Sequence, residues 1–115
     1  MQTFKKYEQA IIDFLNNYAN LYKNGRSQLS PKIVVDKESH QYLLTITGWD
    51  EDRYVYGLLF HFEIINEKIW LQQNATECLV DKELAKYGVP KSDIVLGFKS
   101  PFANKHAGFG VPVEA

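Results

Sequence analysis

The stretch Tyr54-Val55-Tyr56-Gly57-Leu58-Leu59-Phe60-His61-Phe62-Glu63-Ile64-Ile65 decides how this chain folds. Side chains alternate across a β-strand, so Tyr54, Tyr56, Leu58, Phe60, Phe62 and Ile64 fall on one side and Val55, Gly57, Leu59, His61, Glu63 and Ile65 on the other. The first set is uniformly apolar, and such a face has to be covered. The flanks supply neighbouring strands. Asn66-Glu67 reads as a tight turn into a strand over Lys68 to Gln73, and Gly48 to Arg53 as a longer loop back to a strand over Tyr42 to Thr47. The polar run Lys37-Glu38-Ser39-His40 separates that strand from Ile33 to Asp36. Strands joined by such short connections run antiparallel, so a four-stranded meander is expected.

The cover lies upstream. At about 100° per residue, Phe4, Tyr7, Ile11, Phe14, Leu15, Tyr18, Leu21 and Tyr22 share one sector of a helix over residues 4–22, with Lys5, Lys6, Gln9, Asp13, Asn16, Asn20 and Lys23 opposite. Asn24-Gly25 is its expected end, and residues 26–31 form a linker. The aromatic stripe is either a partner face or, more simply, a core face. A second, shorter helix is expected over Glu77 to Tyr87, capped by Asn74 with Glu77 three residues on, or by Thr76. Gly88-Val89-Pro90 ends it. Beyond Gly97 an irregular tail carries Phe98, Phe102, Phe109 and Val111 and is expected to pack on the surface. The expected fold is α+β: a four-stranded antiparallel meander sheet with a long N-terminal helix on one face and a second, shorter helix, in a single domain over residues 1–115.

Composition agrees with this and excludes several classes. The chain has 115 residues, 45% hydrophobic and 23% charged, and a net charge of −1, values of an ordinary globular domain. One cysteine, Cys78, cannot form an internal disulfide, no apolar leader follows Met1, and no apolar run approaches the ~20 residues of a membrane span. A cytoplasmic location without membrane contact is expected. Asn74-Ala75-Thr76 matches a glycosylation sequon by chance. Charge is uneven: residues 27–81 carry four bases and nine acids, residues 82–106 five bases and two acids. DNA contact is therefore not favoured by charge, although Lys82, Lys86, Lys91, Lys99 and Lys105 form a candidate basic contact.

No complete catalytic constellation stands out. His61 and Glu63, two apart on a strand, point the same way, but the H-x-E chemistry of zinc deaminases also needs a P-C-x-x-C pair, which a single cysteine cannot supply. A metal site using Asp50, Asp52, His61 and Glu63 stays as an alternative to a solvated loop at Asp50-Glu51-Asp52. Cys78 would lie in the first turn of the second helix, as an activated thiolate or, more simply, as a small buried side chain. No phosphate-binding glycine loop or nucleophile elbow is found. The expectation is no enzyme, no cofactor and no metal. The sheet face away from the long helix, with Leu59, Ile65 and Trp70 beside His61 and Glu63, is a candidate surface for self-association into a homo-oligomer, and Trp49, Asp50, Asp52, Arg53, His61, Glu63, Trp70, Gln72, Gln73 and Asn74 form a candidate partner-binding surface.

Three segments resemble the XisI family, the fdxN-element excision controlling factors of cyanobacteria. They are Gly48-Trp49-Asp50-Glu51-Asp52-Arg53 with Tyr56-Gly57, Lys68-Ile69-Trp70-Leu71-Gln72-Gln73-Asn74 with Thr76-Glu77, and Gly88-Val89-Pro90-Lys91-Ser92-Asp93-Ile94-Val95-Leu96-Gly97-Phe98. The resemblance implies a non-enzymatic accessory role in programmed excision of a DNA element during heterocyst differentiation. It implies a XisH-like protein as partner and a separate site-specific recombinase as catalyst. An antitoxin-like inhibitor of a nuclease partner, or a factor that touches DNA directly, are the alternatives.

Overall fold

A computed structural model of the protein describes residues 2–23 and 28–111. The elements are α1 (Gln2–Lys23), β1 (Ser30–Asp36), β2 (Gln41–Asp50), β3 (Arg53–Ile65), β4 (Lys68–Asn74), α2 (Val80–Ala85), β5 (Ile94–Leu96) and α3 (Pro101–His106), with a 3-10 turn at Lys91–Asp93 before β5. The expected helix end at residues 24–25 and the first two residues of the expected linker, 26–27, lie outside the described residues, as does the end of the tail at 112–115; the last two linker residues, Ser30 and Pro31, belong instead to β1, where they pair with Thr47 and Ile46.

Strands β1 to β4 form the expected antiparallel meander. Asn66 and Glu67 both hold positive φ, 51° and 61°, the conformation that matches a two-residue hairpin turn to the strand twist. At the β1–β2 turn Asp36 accepts hydrogen bonds from the Glu38 and Ser39 amides and the Ser39 hydroxyl. These bonds hold its carboxyl below the usual carboxylate range.

The sheet departs from expectation in three places. It has a fifth strand: β5 pairs with β4 in parallel, Ile69 with Ile94, Trp70 with Val95 and Leu71 with Leu96. A parallel neighbour requires a crossover, and residues 75–93, with α2 inside them, provide it. The expected loop Gly48–Arg53 shrinks to a two-residue turn, Glu51-Asp52, because Gly48, Trp49 and Asp50 continue the ladder against Val55, Tyr54 and Arg53. Third, the strict alternation of β3 breaks. Leu44 pairs with Phe60 but Thr45 pairs with Leu58, which leaves Leu59 as an extra, bulged residue. Ile46, on the same face as Leu44, then lies opposite Gly57. The bulge sends Tyr54, Tyr56 and Leu58 to the face opposite Phe60, Phe62 and Ile64. A second shift between His61 and Phe62 makes Gln72 the extra residue on β4.

Helix α1 covers the face that carries Tyr42, Leu44, Phe60, Phe62, Ile69 and Leu71, all at most 2% exposed. Its Tyr7, Ala10, Ile11, Phe14, Leu15 and Ala19 are buried there. Phe14 meets Phe60 and Phe62 edge-on at ring distances of 5.1 and 5.7 Å, the geometry aromatic quadrupoles prefer. Leu21, expected on the apolar stripe, is 67% exposed and lines a shallow groove with Cys78 and Tyr87. Two phenols tie the helix to the sheet side: Tyr42 donates to Glu8 and Tyr7 to Asp93.

The second helix is shorter than expected and uncapped by a side chain, with Leu79 at its N-cap position. Asn74 and Thr76 instead build the turn before it. The Thr76 amide donates to Asn74 Oδ1, Asn74 Nδ2 to the Cys78 carbonyl, and the Cys78 amide to Thr76 Oγ1. Asx and Ser/Thr turns compete with helix in this way. Gly88, at φ 85°, closes the helix as expected, and the Val89 amide donates back to the Leu84 carbonyl. The tail packs through α3, where buried Asn104 binds both backbone groups of Leu96.

Candidate functional site

With α1 on one face, the opposite face of the sheet brings together His61, Glu63, Trp70 and Gln72 among the candidate residues. His61 and Glu63 project from β3 on this side, opposite Leu43 and Gln41 of β2. His61 Nε2 pairs with Gln41 Oε1 at 2.5 Å, and Gln72 Nε2 donates to Glu63 Oε1 at 3.3 Å. Gln73 turns its amide to the Leu58 carbonyl at 3.2 Å. Trp70 pairs with Glu63 across β3–β4 and with Val95 across β4–β5. This half of the face is a polar row over three strands, in which Gln41 pairs with the imidazole, Gln72 with the Glu63 carboxylate and Gln73 with the backbone. It can present side chains to a partner.

Trp49, Asp50, Asp52 and Arg53 sit elsewhere. They occupy the far end of the β2–β3 hairpin, which runs past its neighbours. Strand β1 stops pairing at Thr47 and β4 at Phe60. At about 3.3 Å per residue Arg53 lies roughly 26 Å along the strand from His61. Asp50 and Asp52 therefore cannot share an ion with His61 and Glu63, and among the described residues no group of three or more His, Cys, Asp or Glu is placed to hold a metal. The expected metal alternative is withdrawn on geometry. Asn74, also expected on the surface, is committed to the turn before α2.

Tyr54 and Tyr56 were expected in the core. The bulge at Leu59 places them on the open face, 53% and 80% exposed, beside Trp49 at 55%. Trp49 and Tyr54 touch edge-on at 5.3 Å. Across the sheet Val34 on β1 adds an exposed apolar side chain opposite Leu43. The signal available in sequence was the glycine at 57, since a glycine inside a strand often marks a bulge or a close approach.

Cys78 precedes α2 and is half-buried in the groove against α1. Burial pushes its thiol up, the reverse of the activated thiolate considered above. The five lysines do not act as one patch in their contacts. Lys86 pairs with Glu83 at 3.1 Å, Lys91 with Asp81 at 3.9 Å, and the Lys91 ammonium also lies 4.7 Å from the Phe109 ring centre. Lys82, Lys99 and Lys105 are exposed on α2, on the β5–α3 connection and on α3. No helix among the described residues is long and apolar enough to cross a membrane.

Comparison with known proteins covers nearly all of this architecture. No curated protein matches the sequence. Among solved structures, a XisI-like protein from Anabaena variabilis is 34% identical and superposes with a TM-score of 0.82, over 95% of this chain and 99% of that one. The fdxN element excision controlling factor XisI from Anabaena variabilis is 25% identical, with a TM-score of 0.77 over 96% of this chain and 99% of that one. The sequence model of the XisI protein family matches residues 1–111, which take in every helix and strand described above. A long helix backing a five-stranded sheet, with the three signature segments on the hairpin arm, on β4 and on the crossover into β5, makes this chain a member of the XisI family.

Proposed function

We propose that this protein is a non-enzymatic controlling factor for excision of a DNA element, and that it acts by binding other proteins. One observation carries the reading: the family match and the structural likeness to the excision controlling factor XisI extend over almost the whole of both chains. The open sheet face supports the same reading, since its exposed Trp49, Tyr54 and Tyr56 belong to the residue types that dominate protein interfaces. A XisH-like protein is the proposed partner, and a separate recombinase the proposed catalyst of strand exchange. Direct contact with DNA is the weaker reading, because two of the five candidate lysines are engaged by carboxylates.

The test is reconstitution. A plasmid carrying an excisable element is combined with its recombinase and a XisH-like protein, with and without this chain. Excision that depends on the chain, together with a complex that co-purifies at micromolar concentration, is the expected result. Excision indifferent to the chain overturns the role, and failure to associate overturns the mechanism. Retardation of DNA at low salt that weakens steeply as salt rises would transfer the role to the lysines.

A further inference from the structure

The sheet guards its edges unequally. On β1 the outer edge carries Pro31, which lacks an N–H, and Lys32, two common protections against unwanted strand pairing. On β5 the edge is closed by the chain itself: the Leu96 amide donates to Asn104 Oδ1 at 2.8 Å, Asn104 Nδ2 donates to the Leu96 carbonyl at 3.0 Å, and the Gly110 amide donates to the Ile94 carbonyl at 2.8 Å. A third edge is different. Beyond Phe60 no described strand lies on the β4 side of β3. The Leu58 and Leu59 carbonyls there are taken by the Gln73 side chain and the Ala75 amide. Arg53–Gly57 remains, with neither proline nor lysine in it.

Backbone parity says what this edge offers. In an antiparallel strand alternate residues turn their N–H and C=O to opposite sides. The Leu58 carbonyl faces the β4 side, so Tyr54 and Tyr56, of the same parity and with no irregularity between them, direct their backbone groups there too. Val55 directs its groups to β2.

We propose that two copies of this chain join through these edges, Arg53–Gly57 against Arg53–Gly57, antiparallel about a two-fold axis at Val55. Antiparallel pairing of identical strands is its own complement, which is the requirement of a closed two-fold interface. The capped carbonyls at Leu58 and Leu59 set the register, since Tyr54 and Tyr56 are then the residues with both edge groups open, and Val55 lies midway between them. Tyr54 then exchanges both backbone hydrogen bonds with the second copy's Tyr56, and the same bonds recur across the axis. The phenol rings become cross-strand aromatic pairs on the open face. Arg53 meets Gly57, where an added Cβ would have only an Ile46 methyl within van der Waals range, at 3.7 Å, so the long side chain has room. The two sheets merge into one of ten strands, with α1 of each copy on the same side. This inference stands apart from the excision role, because it names a second copy and no foreign partner.

Sedimentation equilibrium of the full chain at about 100 μM should give twice the chain mass, with a dissociation constant on the order of micromolar. Tyr54→Lys with Tyr56→Lys brings like charges together across the axis and should weaken the dimer at least about 100-fold, with an unchanged far-UV spectrum. A second variant fixes the register without relying on the first. Val55 would face its own copy in a non-hydrogen-bonded pair about 4.5 Å apart at Cα, a separation a disulfide accepts. In a Cys78→Ala background, Val55→Cys should oxidise to a covalent dimer. A monomer at that concentration, a dimer that the two lysines leave intact, or a dimer that Val55→Cys cannot cross-link, each overturns the proposal.

Discussion

The two ends of strand β3 are built from the same kinds of residue and meet opposite fates. Phe60 and Phe62 are fully buried beneath α1, whereas Tyr56, four residues from Phe60, is 80% exposed. Both stretches are apolar, and both pair with β2. What separates them is one extra residue, Leu59, which reverses the phase of alternation between them. Hydrophobic character marks a segment as strand; the local count of residues against the neighbouring strand decides which face is buried.

The comparison can be broken at the core end first. Phe60→Ala removes a ring packed against Phe14 and Tyr18 and should cost about 4 kcal/mol, read from the midpoint of urea denaturation. The change at Tyr56 should be far smaller; a comparable loss there would show that the arm is covered after all. Next is the clamp at the sheet's far edge. Asn104→Ala leaves both backbone groups of Leu96, and the Lys99 and Ser100 carbonyls, without their amide partner. The expected loss is about 2–3 kcal/mol.

A third change sharpens the core side by pH. Burial and the Glu8 carboxylate raise the Tyr42 phenol above its ordinary value of 10, and burial and Asp93 do the same for Tyr7. Neutral phenol is the form the fold prefers, so this stabilisation is complete below pH 10 and is lost as pH rises beyond it. Tyr42→Phe should cost about 1.5 kcal/mol at neutral pH and make the alkaline fall in melting temperature shallower than in the parent protein. A fall equally steep in the variant would mean that Tyr42 takes no part in it. The smallest effect belongs to the arm: Tyr56→Ala in dilute solution should change stability by no more than about 0.5 kcal/mol.

Much of this was legible beforehand. The period of α1, the four meander strands and the Asn66-Glu67 turn each carry a local signature, because turn chemistry and side-chain periodicity act over a few residues. Strand β5 carries none. Ile94-Val95-Leu96 is three apolar residues, and its pairing with Ile69, Trp70 and Leu71 depends on a crossover that only tertiary packing fixes. The length expected for the second helix failed for a related reason, since Asn74 and Thr76 had two uses for their side-chain oxygens and the turn won. At the candidate surface, Glu63 lies opposite Trp70 and accepts from Gln72, with His61 two residues along the same strand. Tyr54 and Tyr56 were lost to the core because a bulge is a relation between two strands and is not written in either one.

The parallel β5 also has a consequence for the order of assembly. Each of β1 to β4 finds its neighbour through a short turn, so little chain entropy is spent in closing those loops. β5 must bring Ile94 back to Ile69 across the whole crossover, a non-local step of the kind that slows folding. Its hold is three residues long and rests on Asn104 and Gly110 from further along the chain. The segment from β5 to α3 is therefore expected to dock last and to open first. In native-state hydrogen exchange the Leu96 amide should lose its protection while those of Phe60 and Phe62 keep theirs.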